Sequence, residues 1–228
     1  YMCICMILVY IYFSHMIQNM LDAGVHFGHR VRRWNPAMAP YIYGQKYGIH
    51  IIDILKTLQC LREACGYLHS KKNARILFVG TKRAASYLVE LAANECGPNA
   101  HFVNHRWLGG FLTNWTTMRG CIYRLNTLSP EAATSKKERL ELTKQKARLE
   151  KFFRGVKDMR TTPDLLIIVG QQEELNAVHE SHTLGIPNIT LVDTDCNPNL
   201  ATYCIPGNDD SVRSIQLILS KLVRACTL

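Results

Sequence analysis

Gly80, Thr81 and Lys82 follow the apolar run RILFV and precede a helical pattern, where backbone amides, a helix N-terminus and a lysine could hold a phosphate. Neither GxGxxG nor GxxxxGK followed by Ser or Thr is present, so the amide cradle of a nucleotide site is not specified. A phosphate of a nucleic-acid backbone would suit the same turn. His26 and His29 in GVHFGH, like His179 and His182, stand three apart, close enough for two metal ligands on one turn. No cysteine or carboxylate set completes a zinc-like spacing, which leaves packed or backbone-bonded histidines as the alternative. Asp193, Asp195, Asp209 and Asp210 fall where strands end or a helix begins, so loop closure and capping are their economical roles. No Ser/His/Asp or Cys/His arrangement stands out, and no catalytic residue, metal or cofactor is expected.

Two basic, aromatic clusters suit a different chemistry. In RVRRWNPAMAPYIYGQKYG, Arg30, Arg32, Arg33 and Lys46 interleave with Trp34, Tyr41, Tyr43 and Tyr47. Such cations neutralise phosphates, and exposed rings stack on unpaired bases. At least half of these rings are expected in the core, and Pro36 and Pro40 predict an irregular segment instead of a helix. The second cluster, HRWLGGFLTNW, places Arg106, Trp107, Gly109, Gly110, Asn114 and Trp115 within residues 105–115. A formal net charge of +9 favours a polyanionic partner, either nucleic acid or an acidic membrane surface.

The elements that must position these residues follow from periodicity. Strand-like runs at 75–81, 101–104, 164–170 and 188–194 alternate with amphipathic stretches, the pattern of parallel βαβ units in an α/β domain. A last helix presents Val212, Ile215, Leu219 and Leu222 on one face, with Asp209 and Asp210 suited to its start. Between 104 and 164 the chain is too long for one crossover helix. Phe111, Trp115, Met118, Ile122 and Leu125 form an a/d seam, and Leu142, Leu149, Phe153 and Val156 form a matching one after the capping box Ser135 to Glu138. An antiparallel helical hairpin projecting from the sheet domain is the expected result, with Lys146 as a snorkelling misfit in the seam. Residues 135–160 carry ten basic residues against four acidic ones. A solvated face would mix its signs more evenly, so Lys136, Lys137, Lys144 and Lys146 are read as phosphate contacts.

The nine cysteines form no CxxC pair and several fall in apolar patterns, as reduced thiols in a reducing compartment would. Residues 1–13 are continuously apolar yet shorter than a membrane span, and lack the flanks of a secretory signal. Either a tail packed on a neighbouring surface or a buried edge strand accounts for them, and no Arg- and Ser-rich transit sequence is visible.

GVHFGHRVRRWNPAMAPYIYG, GIHIIDILKT, FVGTKRAA, HRWLGGFLTNW, GVKDM, PDLLIIV, LVDTDCNP and IPGNDD with SIQLIL together resemble, in order and spacing, the bacterial-type ribosomal protein S2 family over about residues 20–224. The resemblance implies a flavodoxin-like, three-layer α/β domain at 20–110 and 160–228, a coiled-coil hairpin inserted at 111–159, and an added tail at 1–19. It implies a structural, non-enzymatic constituent of the small ribosomal subunit. Its partners would be small-subunit rRNA, adjacent ribosomal proteins and messenger RNA near the exit side, with no membrane. Arg30, Arg32, Arg33, Trp34, Lys46, Lys82, Arg83, Arg106, Trp107, Asn114 and the four hairpin lysines are expected at RNA. Gly24, His26, Gly28, His29, Gly109, Gly110, Trp115, Asp209 and Asp210 are expected to be structural. The family usually has Ala at Gly207 and Asp at Gly170. The first departure is expected to change backbone freedom in a turn, and the second removes a carboxylate from a strand end. TNWTT and DTDCNPNL resemble cyanobacterial and plastid members, which points to a plastid ribosome, with a mitochondrial ribosome as the alternative. The competing function is a nucleotide-binding α/β enzyme using Gly80 to Lys82.

Overall fold

The computed structural model describes residues 14–132 and 135–227. The apolar run 1–13, expected as a packed tail or an edge strand, lies outside them. Helix α1 (residues 14–22) sends Met16 and Met20 into the core, so part of the segment expected as tail belongs to the packed domain. Strands β1 (Phe27–Arg30), β2 (Ile42–Lys46) and β3 (Ile49–Ile52) then form an antiparallel sheet in the order β1-β3-β2. The sequence reading has no counterpart to this sheet. Between β1 and β2 a 3-10 helix at Pro36–Tyr41 replaces the expected irregular segment. Asn35 opens it by accepting the Ala37 amide at 2.9 Å, and Pro40 is tolerated because a 3-10 turn this short loses few hydrogen bonds.

Helix α2 (Ile54–Ser70) starts where Asp53 accepts the Leu55 amide at 3.0 Å and buries Leu61, Ala64 and Leu68 along one stripe. Strand β4 (Ile76–Val79), helix α3 (Ser86–Cys96) and strand β5 (Ala100–Val103) make the first parallel unit. Helix α3 begins four residues later than Lys82, where its pattern starts, and stops at Gly97, whose φ of 101° opens the turn. Helices α4 (Trp115–Thr127) and α5 (Lys136–Phe153) follow. Then come β6 (Leu165–Val169), α6 (Leu175–Thr183), β7 (Asn188–Val192), β8 (Tyr203–Pro206) and α7 (Val212–Thr227).

The parallel sheet runs β5-β4-β6-β7-β8, the flavodoxin-like order, with its topological switch between β4 and β6. Alternation within the strands builds both faces. Ile76, Phe78, Leu165 and Ile167 meet α2, α3 and α7, while Leu77, Val79, Leu166 and Ile168 meet α6 and the base of α4 and α5. Three layers result, each interface filled by branched and aromatic side chains.

Helices α4 and α5 pack as the expected hairpin. Its base is buried through Ile122, Leu125 and Phe153, and Arg124 donates to Gln145 across it at 3.0 Å. Ser135 accepts the Glu138 amide at 3.1 Å and so starts α5. Phe111 belongs to a turn beneath the hairpin instead of its seam, in contact with Trp107, Trp115 and Phe153. Farther out, Leu142, Lys146 and Leu149 are only half-buried, and Phe153 is the one buried residue of α5. The chain returns at Gly155, where any Cβ would collide with the Phe102 carbonyl.

Candidate nucleic-acid interface

The crevice at the sheet's switch point is where an α/β enzyme would place a nucleotide. Here side chains fill it. Glu174 accepts the Thr81 amide at 2.8 Å, the donor a phosphate would need. Lys82 turns away from the turn and reaches Asp209 at 2.7 Å, Asp210 at 2.9 Å and Glu173 at 3.6 Å. Burial opposes its charge, but the hydrogen bonds to Asp209 and Asp210 hold the ammonium charged well above its ordinary range. Burial and the Asp193 charge push Asp209 up to about 7, with Lys82 pulling it back. Burial likewise raises Glu174. The expectation that Lys82 meets an external phosphate is therefore corrected: its charge is spent on three carboxylates inside the protein, and an added anion would be repelled by the remaining acids.

The same cluster fixes the N-terminal sheet to the platform. His29 Nδ1 lies 3.0 Å from Asp193, and its Nε2 lies 3.4 Å from Asp210 and 3.9 Å from Asp195. The His29 amide donates to Thr194 at 2.8 Å, and at Gly28 a Cβ would sit 2.5 Å from the Thr194 methyl. That separation leaves room only for glycine. Gly24 accepts from the Asn208 side chain at 3.1 Å, and His26, whose burial lowers its pKa, packs its ring on Phe27 at 4.0 Å. Contrary to the expectation from their position, Asp209 and Asp210 do not cap α7. Asn208 accepts the amides of Asp210 and Ser211, and the Ser211 hydroxyl that of Ser214, leaving both aspartates for Lys82. Among the described residues no group of three or more His, Cys, Asp or Glu side chains could hold a metal ion.

The hydrogen bond to Asp193 raises His29 to about 9, with burial opposing and the charges of Asp193, Asp195 and Asp210 adding. A raised histidine contributes fully below its ordinary 6.5, and the contribution is lost as pH climbs through 9. His29→Gln is expected to cost on the order of 2–3 kcal/mol at about pH 6, with the difference closing at about pH 10. Urea unfolding of both chains at the two pH values checks it.

The HRWLGGFLTNW stretch is gripped by one carboxylate. Glu180 of α6 accepts from Trp107 Nε1 at 2.9 Å and from the amides of Gly110 at 2.8 Å, Leu112 at 2.8 Å and Thr113 at 3.2 Å. Burial alone would raise its pKa, but these four donors outweigh it and hold Glu180 below the ordinary carboxylate value. Gly110 reaches this geometry at φ 80°, which side-chain-bearing residues rarely adopt. Trp107 is 6% exposed and hydrogen-bonded inward, so its expected place at RNA is corrected to a structural one. Trp115 is half-buried against Phe111, Gly109 has open space around it, and Asn114 accepts the Thr117 hydroxyl at 2.8 Å at the start of α4.

Two changes of residue type read differently in three dimensions. Gly207 has no left-handed φ, so the expected change in turn freedom is corrected to one of space: a Cβ there would crowd Leu191, Ile218 and Val25 at 3.1–3.3 Å. Gly170 has φ 85°, where an aspartate would be strained as well as close to Glu173.

The basic surfaces lie elsewhere. On the antiparallel sheet and the turns that flank its strands Arg30, Arg32, Arg33 and Lys46 are exposed, as are Trp34, Tyr43 at 81% and Tyr47 at 92%. Lys46 stands over the Tyr47 ring at 5.5 Å. Three of the four rings thus face solvent, more than the expected half, and Tyr41 alone turns inward. On α5, Lys136, Lys137 and Lys144 are exposed and Lys146 is half-buried. Arg154 is tied back to Glu90 at 2.5 Å. Arg83 and Arg106 are exposed near the ends of β4 and β5.

Fold and surfaces together define an α/β binding platform that carries a basic helical arm and a basic aromatic sheet, with its ligand crevice closed by its own side chains. The chain belongs to the ribosomal protein S2 family, whose model matches residues 20–228. It is 49% identical over 217 residues to the small ribosomal subunit protein uS2c of Ostreococcus tauri, covering 92% of this chain and 94% of that protein. Small ribosomal subunit protein uS2c of Euglena gracilis is 49% identical over 90% of this chain and 88% of its own length. Small ribosomal subunit protein uS2 of a Synechococcus strain is 45% identical over 92% and 86%.

Proposed function

We propose that this chain is a structural, non-enzymatic constituent of the small subunit of the plastid ribosome, assembling there with rRNA and neighbouring proteins. The observation that carries the molecular part is the separation of charge: carboxylates close the crevice, while exposed lysines and arginines crowd α5 and the antiparallel sheet. Arg30, Arg32, Arg33, Lys46, Arg83, Arg106, Lys136, Lys137, Lys144 and Lys146 are the phosphate contacts in this reading, with Asn114 beside them at the foot of the hairpin. Trp34, Tyr43 and Tyr47 supply stacking faces for unpaired bases. The insertion expected at 111–159 carries the arm built of α4 and α5, and messenger RNA near the exit side is a second polyanion these surfaces would accommodate. Among the described residues no helix is long and apolar enough to cross a membrane. The nucleotide-enzyme alternative has no support, since Thr81 and Lys82 are already engaged.

Sucrose-gradient separation of plastid lysate, with the protein followed by mass spectrometry before and after a moderate-salt wash, tests the assignment. Stoichiometric recovery in the small-subunit peak after the wash is the expected result. Recovery only in soluble fractions at both salts would overturn it.

A further inference from the structure

Cys60 on α2 and Cys204 on β8 are far apart in sequence yet share the wall of a surface cavity of about 450 Å³, with Tyr41, Glu63 and Pro198 around them. Cys204 donates to the Tyr41 hydroxyl oxygen at 3.4 Å, and Cys60 stands on the same cavity wall. Both cysteines are half-buried and unbridged. Thiols that only fill a core are sealed among apolar groups, whereas this pair opens on solvent with a phenol oxygen beside one member. We propose that Cys204 is a redox-active thiol and Cys60 its resolving partner, the two closing to a disulfide when hydrogen peroxide reaches the cavity.

The chemistry balances with peroxide as the only added reagent. The Cys204 thiolate attacks one peroxide oxygen, the O–O bond breaks, and the departing hydroxide takes a proton to become water, leaving a sulfenic acid on Cys204. The Cys60 sulfur then attacks the Cys204 sulfur. The S–O bond breaks, and hydroxide leaves with the Cys60 proton as a second water. Two thiols lose two electrons and two protons, and peroxide is reduced to two waters.

The surroundings favour Cys204 as the attacking member. The hydrogen bond from Cys60 lowers Cys204 to about 6, burial and the Glu63 charge opposing and Tyr41 adding to the effect. The shared hydrogen bond to Cys204 holds the protons on Cys60 and Tyr41. Cys96 and Cys226 share the wall of a separate cavity of about 210 Å³ whose lining holds no tyrosine, and they provide an internal comparison.

Peptide mapping of the full chain after stoichiometric hydrogen peroxide should find a Cys60–Cys204 disulfide. Cys60→Ser should instead leave Cys204 as a sulfenic acid captured by dimedone. The alkylation rate of Cys204 by iodoacetamide should be half-maximal near pH 6 and flat above it. The pH profile is the discriminating readout, because a less basic thiolate is also a weaker nucleophile. A disulfide only at Cys96–Cys226, no disulfide at all, or a Cys204 profile rising through the ordinary thiol range near about 8.5 would overturn the proposal.

Discussion

Glu180→Ala is expected to lower unfolding stability by about 3–5 kcal/mol, among the largest losses any single substitution should cause here. The carboxylate serves five donors at once, and three of them are backbone amides that cannot turn elsewhere. Removing it leaves buried N–H groups without a partner, each with a desolvation penalty of its own. Glu180→Gln should cost about half as much, because the amide oxygen can still accept while its NH₂ faces donors. The sign with pH follows from the depressed pKa. The contribution is complete above the ordinary glutamate value of 4.5 and is lost as pH falls through the lower folded value. The gap between wild type and Glu180→Ala should therefore narrow in acid, as read by urea midpoints. A gap that is small at neutral pH would mean that Trp107 and the glycine turn are held by packing alone.

Much of the platform was legible in the sequence because its signals are local. The runs at β4, β6 and β7 are buried on both faces, so hydrophobicity alone marks them, and the charge imbalance on α5 needs no tertiary information. The antiparallel sheet escapes the sequence because its strands are four or five residues long and interrupted by Gly28, Gly44 and polar residues such as Arg30, Gln45 and Lys46, so no sustained alternation or apolar run announces them. The roles of Glu180, Lys82 and Asp209 were illegible for another reason: each depends on partners 67 to 128 residues away. One weak trace existed for Glu180, an acid set among Ala177, Val178 and Ser181 on the buried face of α6. Lys82 shows the opposite case. Its local setting after a strand suits a phosphate, and only the return of the chain at Asp209 and Asp210 reassigns its charge.

The second large effect concerns the arm. Replacing Lys136, Lys137, Lys144 and Lys146 with alanine should leave the hairpin folded, since its base is held by Ile122, Leu125 and Phe153 and none of the four lysines is buried. Binding to rRNA should suffer far more. If each lysine displaces counterions from one phosphate, the slope of log K against log salt becomes shallower by roughly 0.9 per lysine on duplex RNA, about 3.6 for the four. Between about 50 and 200 mM salt the wild-type advantage should then shrink about a hundredfold. The most direct measurement is a titration of small-subunit rRNA with both chains across that salt range. A markedly shallower slope for the quadruple variant, with unchanged thermal stability, is the predicted result. Parallel slopes for the two chains would contradict the arm's role as a phosphate-binding element.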